Sequence, residues 1–304
     1  MNSRMFTRVG SLTLKNPIMP ASGTFDYHAQ PWGPVDVSRL GALVPKSITL
    51  YPQPGNPPSR LAETPSGLIN SIGIPSEGLE AFLQKTVHQY AHVPTALVVS
   101  IAGYSPEEYA ILTRACAQIP QTTAIELNLS CPNLKTHVMP AQDPSLLRDS
   151  IQAARTVTDK PLWAKLSPNV TSIADMARIA QEAGANAVVA INTLRAMAIN
   201  VQKQQAILGH FTGGLSGPAI LPIALATVWD IAQTTAIPII GCGGIQTAED
   251  VLMFLMAGAS AVQIGTATFR HPSTMMQVLD ELHDYLTEHH ITAVDQIIGI
   301  AKPT

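Results

Sequence analysis

The chain has 304 residues, 46% of them hydrophobic and only 13% charged, with a mean hydropathy of +0.18. Soluble domains carry about 25% charged residues and disordered chains carry more, so disorder is excluded and a sizeable core is required. The formal charge of −3 with no Lys/Arg run excludes a nucleic-acid footprint, and no apolar run approaches the ~20 residues that span a bilayer. In chain order, Phe6–Leu14 alternates around Gly10-Ser11 and predicts a small hairpin. Eight short apolar runs follow: Pro17–Ala21, Ala42–Ile48, Ala96–Ile101, Ala124–Leu129, Pro161–Leu166, Ala187–Asn192, Ile237–Cys242 and Ala261–Gly265. They are nearly continuous in Val, Ile, Leu and Ala, the pattern of parallel strands buried on both faces. Amphipathic segments lie between them at Glu77–Tyr90, Pro106–Gln118, Pro144–Val157, Ser172–Ala183, Pro218–Thr234, Ala248–Met256 and Pro272–His289. Ser105-Pro106 and Asp143-Pro144 are helix-start pairs, and Gly184-Ala185 and Gly258-Ala259 close others.

This β/α alternation predicts a single (β/α)8 TIM barrel over residues 1–304 with a short N-terminal β-hairpin; a doubly wound sheet is the alternative. Two long segments, Thr49–Ser76 and Thr193–Gly217, are read as inserted loops at the C-terminal face that form lids or binding walls. The first residues lack the apolar core of a signal peptide, and three Cys in three contexts suit a reducing compartment, so a cytoplasmic protein is expected.

Barrels place chemistry at the C-terminal ends of their strands. Those ends carry Ser22-Gly23, Lys46-Ser47, Ser100, Asn128, Lys165, Asn192-Thr193, Gly243-Gly244 and Gly265-Thr266. Glycines after strands seven and eight let backbone N–H groups approach a phosphate; the plainer reading is tight turns. Lys165 and Lys46 emerge from apolar strands, and a buried ammonium is paired or functional. Asn128-Leu129-Ser130-Cys131-Pro132-Asn133 offers two amides around a thiol on a loop. Cys116 reads as a packing residue within a helix, as does Cys242 beside the glycines. The nine His show no metal-ligand spacing, so no metal site is expected.

At these residues the sequence resembles the class 1 dihydroorotate dehydrogenases, most of all the class 1B catalytic subunit. The matching stretches include Asn16–Gly23, Gly55-Asn56-Pro57, Asn70–Gly73, Ile125–Asn133, Lys165–Val170, Ile191–Leu194, Gly213–Ala219, Pro238–Ile245 and Ala248–Val251. The resemblance implies an FMN-containing barrel that oxidises (S)-dihydroorotate to orotate in de novo pyrimidine biosynthesis. It implies FMN contacts from Ser22, Lys46, Ser47, Ser100, Asn128, Lys165, Ile191, Gly217, Gly243, Gly244, Gly265 and Thr266. The pyrimidine would be surrounded by Lys46, Asn70, Ser71, Ile72, Gly73, Ile74, Asn128, Asn133, Asn192 and Thr193. Cys131 would be the base and Lys165 would stabilise charge on the reduced flavin.

Two departures stand out. Ser100 occupies a position where the family usually has Asn, implying a shorter or water-mediated flavin contact, and Lys135–Pro140 replaces a Gly-Gly loop with a stiffer segment. Class 1B resemblance also implies an iron–sulfur flavoprotein partner carrying FAD and [2Fe–2S], which passes electrons to NAD+ in a heterotetramer built on a homodimer. The alternatives are a class 1A-like homodimer that uses fumarate and a dihydropyrimidine dehydrogenase-type FMN enzyme. The latter carries iron–sulfur cysteines that three Cys cannot supply. A tRNA-reducing flavoenzyme would need a basic surface, and a non-flavin aldolase-type barrel or a catalytically dead barrel would purify colourless or fail to bleach with dihydroorotate.

Overall fold

Runs that are apolar at every position become strands covered on both sides. In the computed structural model, which describes residues 3–25, 34–130 and 139–301, eight strands drawn from the apolar runs form one parallel sheet. They are β1 (Ile18–Pro20), β2 (Ala42–Leu43), β3 (Ala96–Ile101), β4 (Thr122–Asn128), β5 (Leu162–Lys165), β6 (Ala187–Ala190), β7 (Ile239–Cys242) and β8 (Ala261–Ile264). β2 to β8 pair in sequence order and β8 pairs with β1, Ile264 opposite Pro20. The Gly41 N–H donates to the Ile18 carbonyl at 2.9 Å across the remaining gap between β1 and β2. The sheet is therefore a barrel, and the doubly wound alternative falls.

Successive residues along each strand face opposite ways. Val98, Ala124, Trp163, Ala187, Val189, Ile240 and Ala261 pack inside the barrel. Leu97, Val99, Ile125, Leu162, Val188, Ile239 and Val262 face outward to the helices. Those helices are α1 (Pro106–Ala117), α2 (Pro144–Arg155), α3 (Ile173–Glu182), α4 (Leu221–Thr234), α5 (Ala248–Ala257) and α6 (Thr274–Glu288). The expected starts hold: Ser105 accepts from the Glu108 N–H, and Asp143 from the N–H groups of Ser145 and Leu146. The N-terminal hairpin, Thr7–Val9 against Leu12–Leu14, sends Val9 and Leu14 into the inner cluster. It closes the N-terminal end of the barrel and leaves the other end to the site. Among the described residues no helix is long and apolar enough to cross a membrane.

Three expectations need correction. The run Ala42–Ile48 makes a ladder only at Ala42–Leu43, and Ile48 rejoins the sheet through an isolated bridge to Ile101. Pro45, which has no N–H to donate, interrupts it. The Glu77–Tyr90 segment is not one regular helix but an α-turn at Leu79–Ala81, π-turns over Phe82–Thr86 and a 3₁₀ stretch over Val87–His92. Phe82 and Tyr90 are both fully buried and meet with ring centroids 5.7 Å apart. Eight residues apart on a regular helix they would diverge by about 80°, so widened and tightened turns bring both to the core.

The two long insertions are strands rather than loops. Leu61–Thr64 and Gly67–Asn70 from the first join Leu194–Met197 and Thr212–Ser216 from the second in one four-stranded antiparallel sheet. Asn70 sits opposite Gly214 in its register.

Candidate active site

The inward positions next above the apolar layer are polar. Two residues beyond Val98, Ala124, Trp163 and Ala261 come Ser100, Glu126, Lys165 and Gln263, all buried; Glu126 is 0% and Lys165 4% exposed. The Lys165 ammonium donates to Gln263 Oε1 at 2.7 Å, and Gln263 Nε2 donates to Glu126 Oε2 at 2.6 Å. Ser100 Oγ donates to the other Glu126 oxygen at 3.1 Å and lies 2.8 Å from Ser47 Oγ. From there the chain runs upward: Asn128 Nδ2 donates to Ser47 Oγ at 3.2 Å, Ser130 Oγ to Asn128 Oδ1 at 3.4 Å and Asn192 Nδ2 to Ser130 Oγ at 2.7 Å. One hydrogen-bonded array thus crosses the barrel from Lys165 to Asn192. Burial raises the Cys242 thiol above its ordinary range, with Lys165 opposing the shift and Glu126 adding to it.

The rest of the mouth is shaped by backbone. Lys46, at the end of the segment after β2, reaches across to Gly23, its Nζ lying 3.7 Å from where a Cβ there would stand. Ser22 is half-buried beside that glycine. Gly217, Gly243 and Gly244 have φ of 94°, 139° and 79°. Side chains on the last two would strike Ala224 and Leu221, so the turn after β7 lies flat on the first turn of α4 and only glycine fits. The Ile191 N–H donates to the Cys242 carbonyl at 2.7 Å, tying β6 to β7 at this level. After β8 and Gly265, Thr266 Oγ1 donates to Ser216 Oγ at 2.7 Å, joining the barrel to the insertion sheet. Thr247 and Asp250 form a capping box at the start of α5, which uses N–H groups there.

The insertion sheet carries the segment Asn70–Ile74. Asn70 Nδ2 donates to the Gly214 carbonyl at 3.2 Å. Ser71 and Ile72 are held from behind by Asn56, and Gly73 is at φ 76°. Ile74 is buried against Ala102 at φ 44°, a left-handed conformation that a β-branched side chain rarely takes. Thr193 packs its hydroxyl onto Gly214, and its N–H donates to Asn192 Oδ1 at 2.8 Å. Cys131 and Asn133, with Lys135–Val138 of the altered loop, lie outside the described residues.

Sequence reading had singled out Lys165, Asn128 and Ser47 but gave Glu126 and Gln263 no role of their own. The signal was the two-residue period: each follows an inward Ala by two positions.

The family model described as dihydroorotate dehydrogenase matches residues 4–286. The chain belongs to the dihydroorotate dehydrogenase family. It is 43% identical over 300 residues to a protein of Trichlorobacter lovleyi named dihydroorotate dehydrogenase B (NAD(+)), catalytic subunit, covering 98% of this chain and 99% of that one. A protein of Thermodesulfovibrio yellowstonii with the same name is 43% identical over 296 residues, covering 97% and 98%. The crystal structure of DHODH from Eimeria tenella in complex with ferulenol superposes with a TM-score of 0.79 at 24% identity, covering 98% of this chain and 88% of that one. That likeness extends the barrel assignment to a distant dihydroorotate dehydrogenase.

Proposed function

We propose that this chain oxidises (S)-dihydroorotate to orotate as the FMN-bearing catalytic subunit of a cytoplasmic, NAD+-linked dihydroorotate dehydrogenase. One observation carries the reading: a hydrogen-bonded array joins a buried lysine to amides at the C-terminal end of a barrel of this family, running from Lys165 through Asn128 to Asn192. The donor set fits FMN. Ser47, Asn128 and Lys165 offer hydroxyl, amide and ammonium groups suited to the carbonyl and nitrogen edge of a flavin ring. Gly217, Gly243, Gly244, Gly265 and Thr266 offer backbone and hydroxyl donors suited to a phosphate. Ser22, Lys46, Ser100 and Ile191 complete the set that would hold it, Ser100 acting through Ser47, to which it is bonded.

FMN held by these residues would supply a hydride acceptor for C6 of the substrate. The protein's own part is positioning and proton transfer. Lys46, Asn70, Asn128, Asn133, Asn192 and Thr193 orient the pyrimidine, with Ser71, Ile72, Gly73 and Ile74 shaping the loop over it. Cys131 removes the proton from C5; a free thiol with pKa ~8.5 is partly ionised near neutrality. Lys165 fixes a positive charge where negative charge develops. The partner is an electron-transfer subunit with FAD and a [2Fe–2S] cluster, joined in a heterotetramer on a dimer of barrels. The exposed Met197, Ile199, Val201 and Phe211 of the second insertion suit burial between subunits.

Chromatography of the cofactor released on denaturation, together with anaerobic addition of dihydroorotate, tests this reading. FMN and bleaching of its visible absorbance are expected; FAD, no flavin after reconstitution, or no bleaching would overturn it. Cys131→Ala should slow the bleaching by roughly 10²–10⁴-fold, the usual worth of a general base.

A further inference from the structure

We infer that Glu126 is a positioning residue that acts through Gln263 on Lys165, supplying the lysine's counter-charge and fixing its position at the FMN site. The inference rests on the reading of the barrel mouth as an FMN site.

An isolated ammonium taken out of water is costly, and a buried charge persists only with a counter-charge and hydrogen bonds. Lys165 is nearly fully buried, and its ammonium is bonded at 2.7 Å to a neutral amide oxygen. The negative charge stands one residue further on. Glu126, fully buried, accepts from Gln263 Nε2 at 2.6 Å and from Ser100 at 3.1 Å. Gln263 is locked in one orientation. Lysine can only donate and an ionised carboxylate can only accept, so the amide must turn its oxygen to one and its nitrogen to the other. The amide dipole carries the polarity of the carboxylate to the ammonium and fixes the direction of Lys165. The carboxylate is fully buried on β4 and meets Gln263 of β8 across the barrel, where it balances the lysine out of contact with solvent.

Glu126→Gln isolates the charge. Ser47 and Ser100 are 2.8 Å apart and either can donate, so the pair can reverse and accept from the new amide. Without the carboxylate, the buried ammonium loses its counter-charge and turns away from its position, and a reduced, negatively charged flavin loses its stabilisation. The reduction midpoint of bound FMN, measured at equilibrium with reference dyes, should then fall. The expected change is at least a tenfold shift in the equilibrium, or about 30 mV for a two-electron couple. A direct field effect has the opposite sign, because removing a negative charge near the flavin raises its potential. A rise or no change therefore overturns the inference.

The exchange variant Glu126→Gln/Gln263→Glu returns a carboxylate to the array, directly against Lys165, and keeps every hydrogen bond. Its midpoint should lie within about twofold of the parent's equilibrium, the scatter of additive changes. If Glu126→Gln fails to fold, the exchange variant decides alone: a parental midpoint supports the inference, and a tenfold fall overturns it. Failure of the parent to bind FMN would instead strike the proposed function and is read separately in the released-cofactor assay.

Discussion

Asn56 grips the segment that ends in Ile74 from two sides: its Nδ2 donates to Ser71 Oγ at 2.9 Å while its backbone N–H donates to the Ile72 carbonyl at 3.0 Å. A side chain at Gly73 would run into Asn56, so loop and clamp are in contact along their length. Asn56→Ala removes one hydrogen bond, worth about 1 kcal/mol, and keeps the backbone one. The KM for dihydroorotate with a dye acceptor should rise about fivefold, with kcat within about twofold, because the clamp orders a binding loop and touches no proton or hydride. A fall in kcat at constant KM would contradict this.

Ile74 and Gln204 are both non-glycine residues in the left-handed region, at φ 44° and 51°, yet glycine should affect them in opposite ways. A left-handed conformation costs roughly 1–2 kcal/mol per residue. Gln204 is exposed in a turn, so Gln204→Gly relieves that cost and should stabilise the protein by up to about 1 kcal/mol, seen as a small rise in Tm with unchanged activity. Ile74 is buried, and losing its side chain forfeits about 1.5–3 kcal/mol of burial, more than the strain returns. Ile74→Gly should therefore lower Tm and raise KM. Thermal unfolding of both variants checks the sign of each change.

The barrel was legible because its strands are apolar on both faces and its helices open on Ser-Pro and Asp-Pro pairs. The insertion sheet was hidden for the opposite reason. Leu61–Thr64 and Thr212–Ser216 are short, and the second is glycine or hydroxyl residues at every position but Leu215, so neither carries enough alternation to stand out. Leu61–Thr64 pairs with the adjacent Gly67–Asn70 and Thr212–Ser216 with Leu194–Met197, and only pairing across nearly 150 residues, such as Leu68 with Ser216, joins the two hairpins into one sheet. Lys165 was visible as a charge inside an apolar run, and Glu126 was equally visible between Ile125 and Leu127. What the linear sequence does not express is that β4 and β8 bring Glu126 and Gln263 together across the barrel.

Two of the three thiols should be silent in the native protein. Burial pushes Cys116 up to about 12 and raises Cys242 as well, so both stay protonated and inert near neutrality. Alkylation of native protein at neutral pH should consume Cys131 alone and abolish dihydroorotate oxidation; mapping the label to Cys116 or Cys242 would contradict it. The same burial predicts alkaline sensitivity. Above the ordinary thiol pKa the unfolded chain loses a proton that folded Cys116 keeps, so stability falls as pH rises toward about 12, by about 1.4 kcal/mol per pH unit from this group. Cys116→Ala should flatten that slope in denaturant titrations, whatever it costs at neutral pH.

The electrons taken from dihydroorotate need an exit that this chain does not supply alone. A [2Fe–2S] cluster normally takes four thiolates, and the sequence has three Cys. Cys116 is fully buried between α1 and the sheet, and Cys242 lies inside the barrel, so the two cannot share a cluster. The sequence also lacks a glycine fingerprint between an early strand and helix, so no dinucleotide fold is at hand for NAD+. The purified chain should therefore reduce a dye rapidly with dihydroorotate and NAD+ hardly at all. Addition of the proposed electron-transfer subunit should bring NAD+ reduction up toward the dye rate, with both proteins co-eluting in gel filtration. Rapid turnover of the isolated chain with NAD+, or with fumarate, would show that it hands on its electrons unaided and would refute the partner requirement.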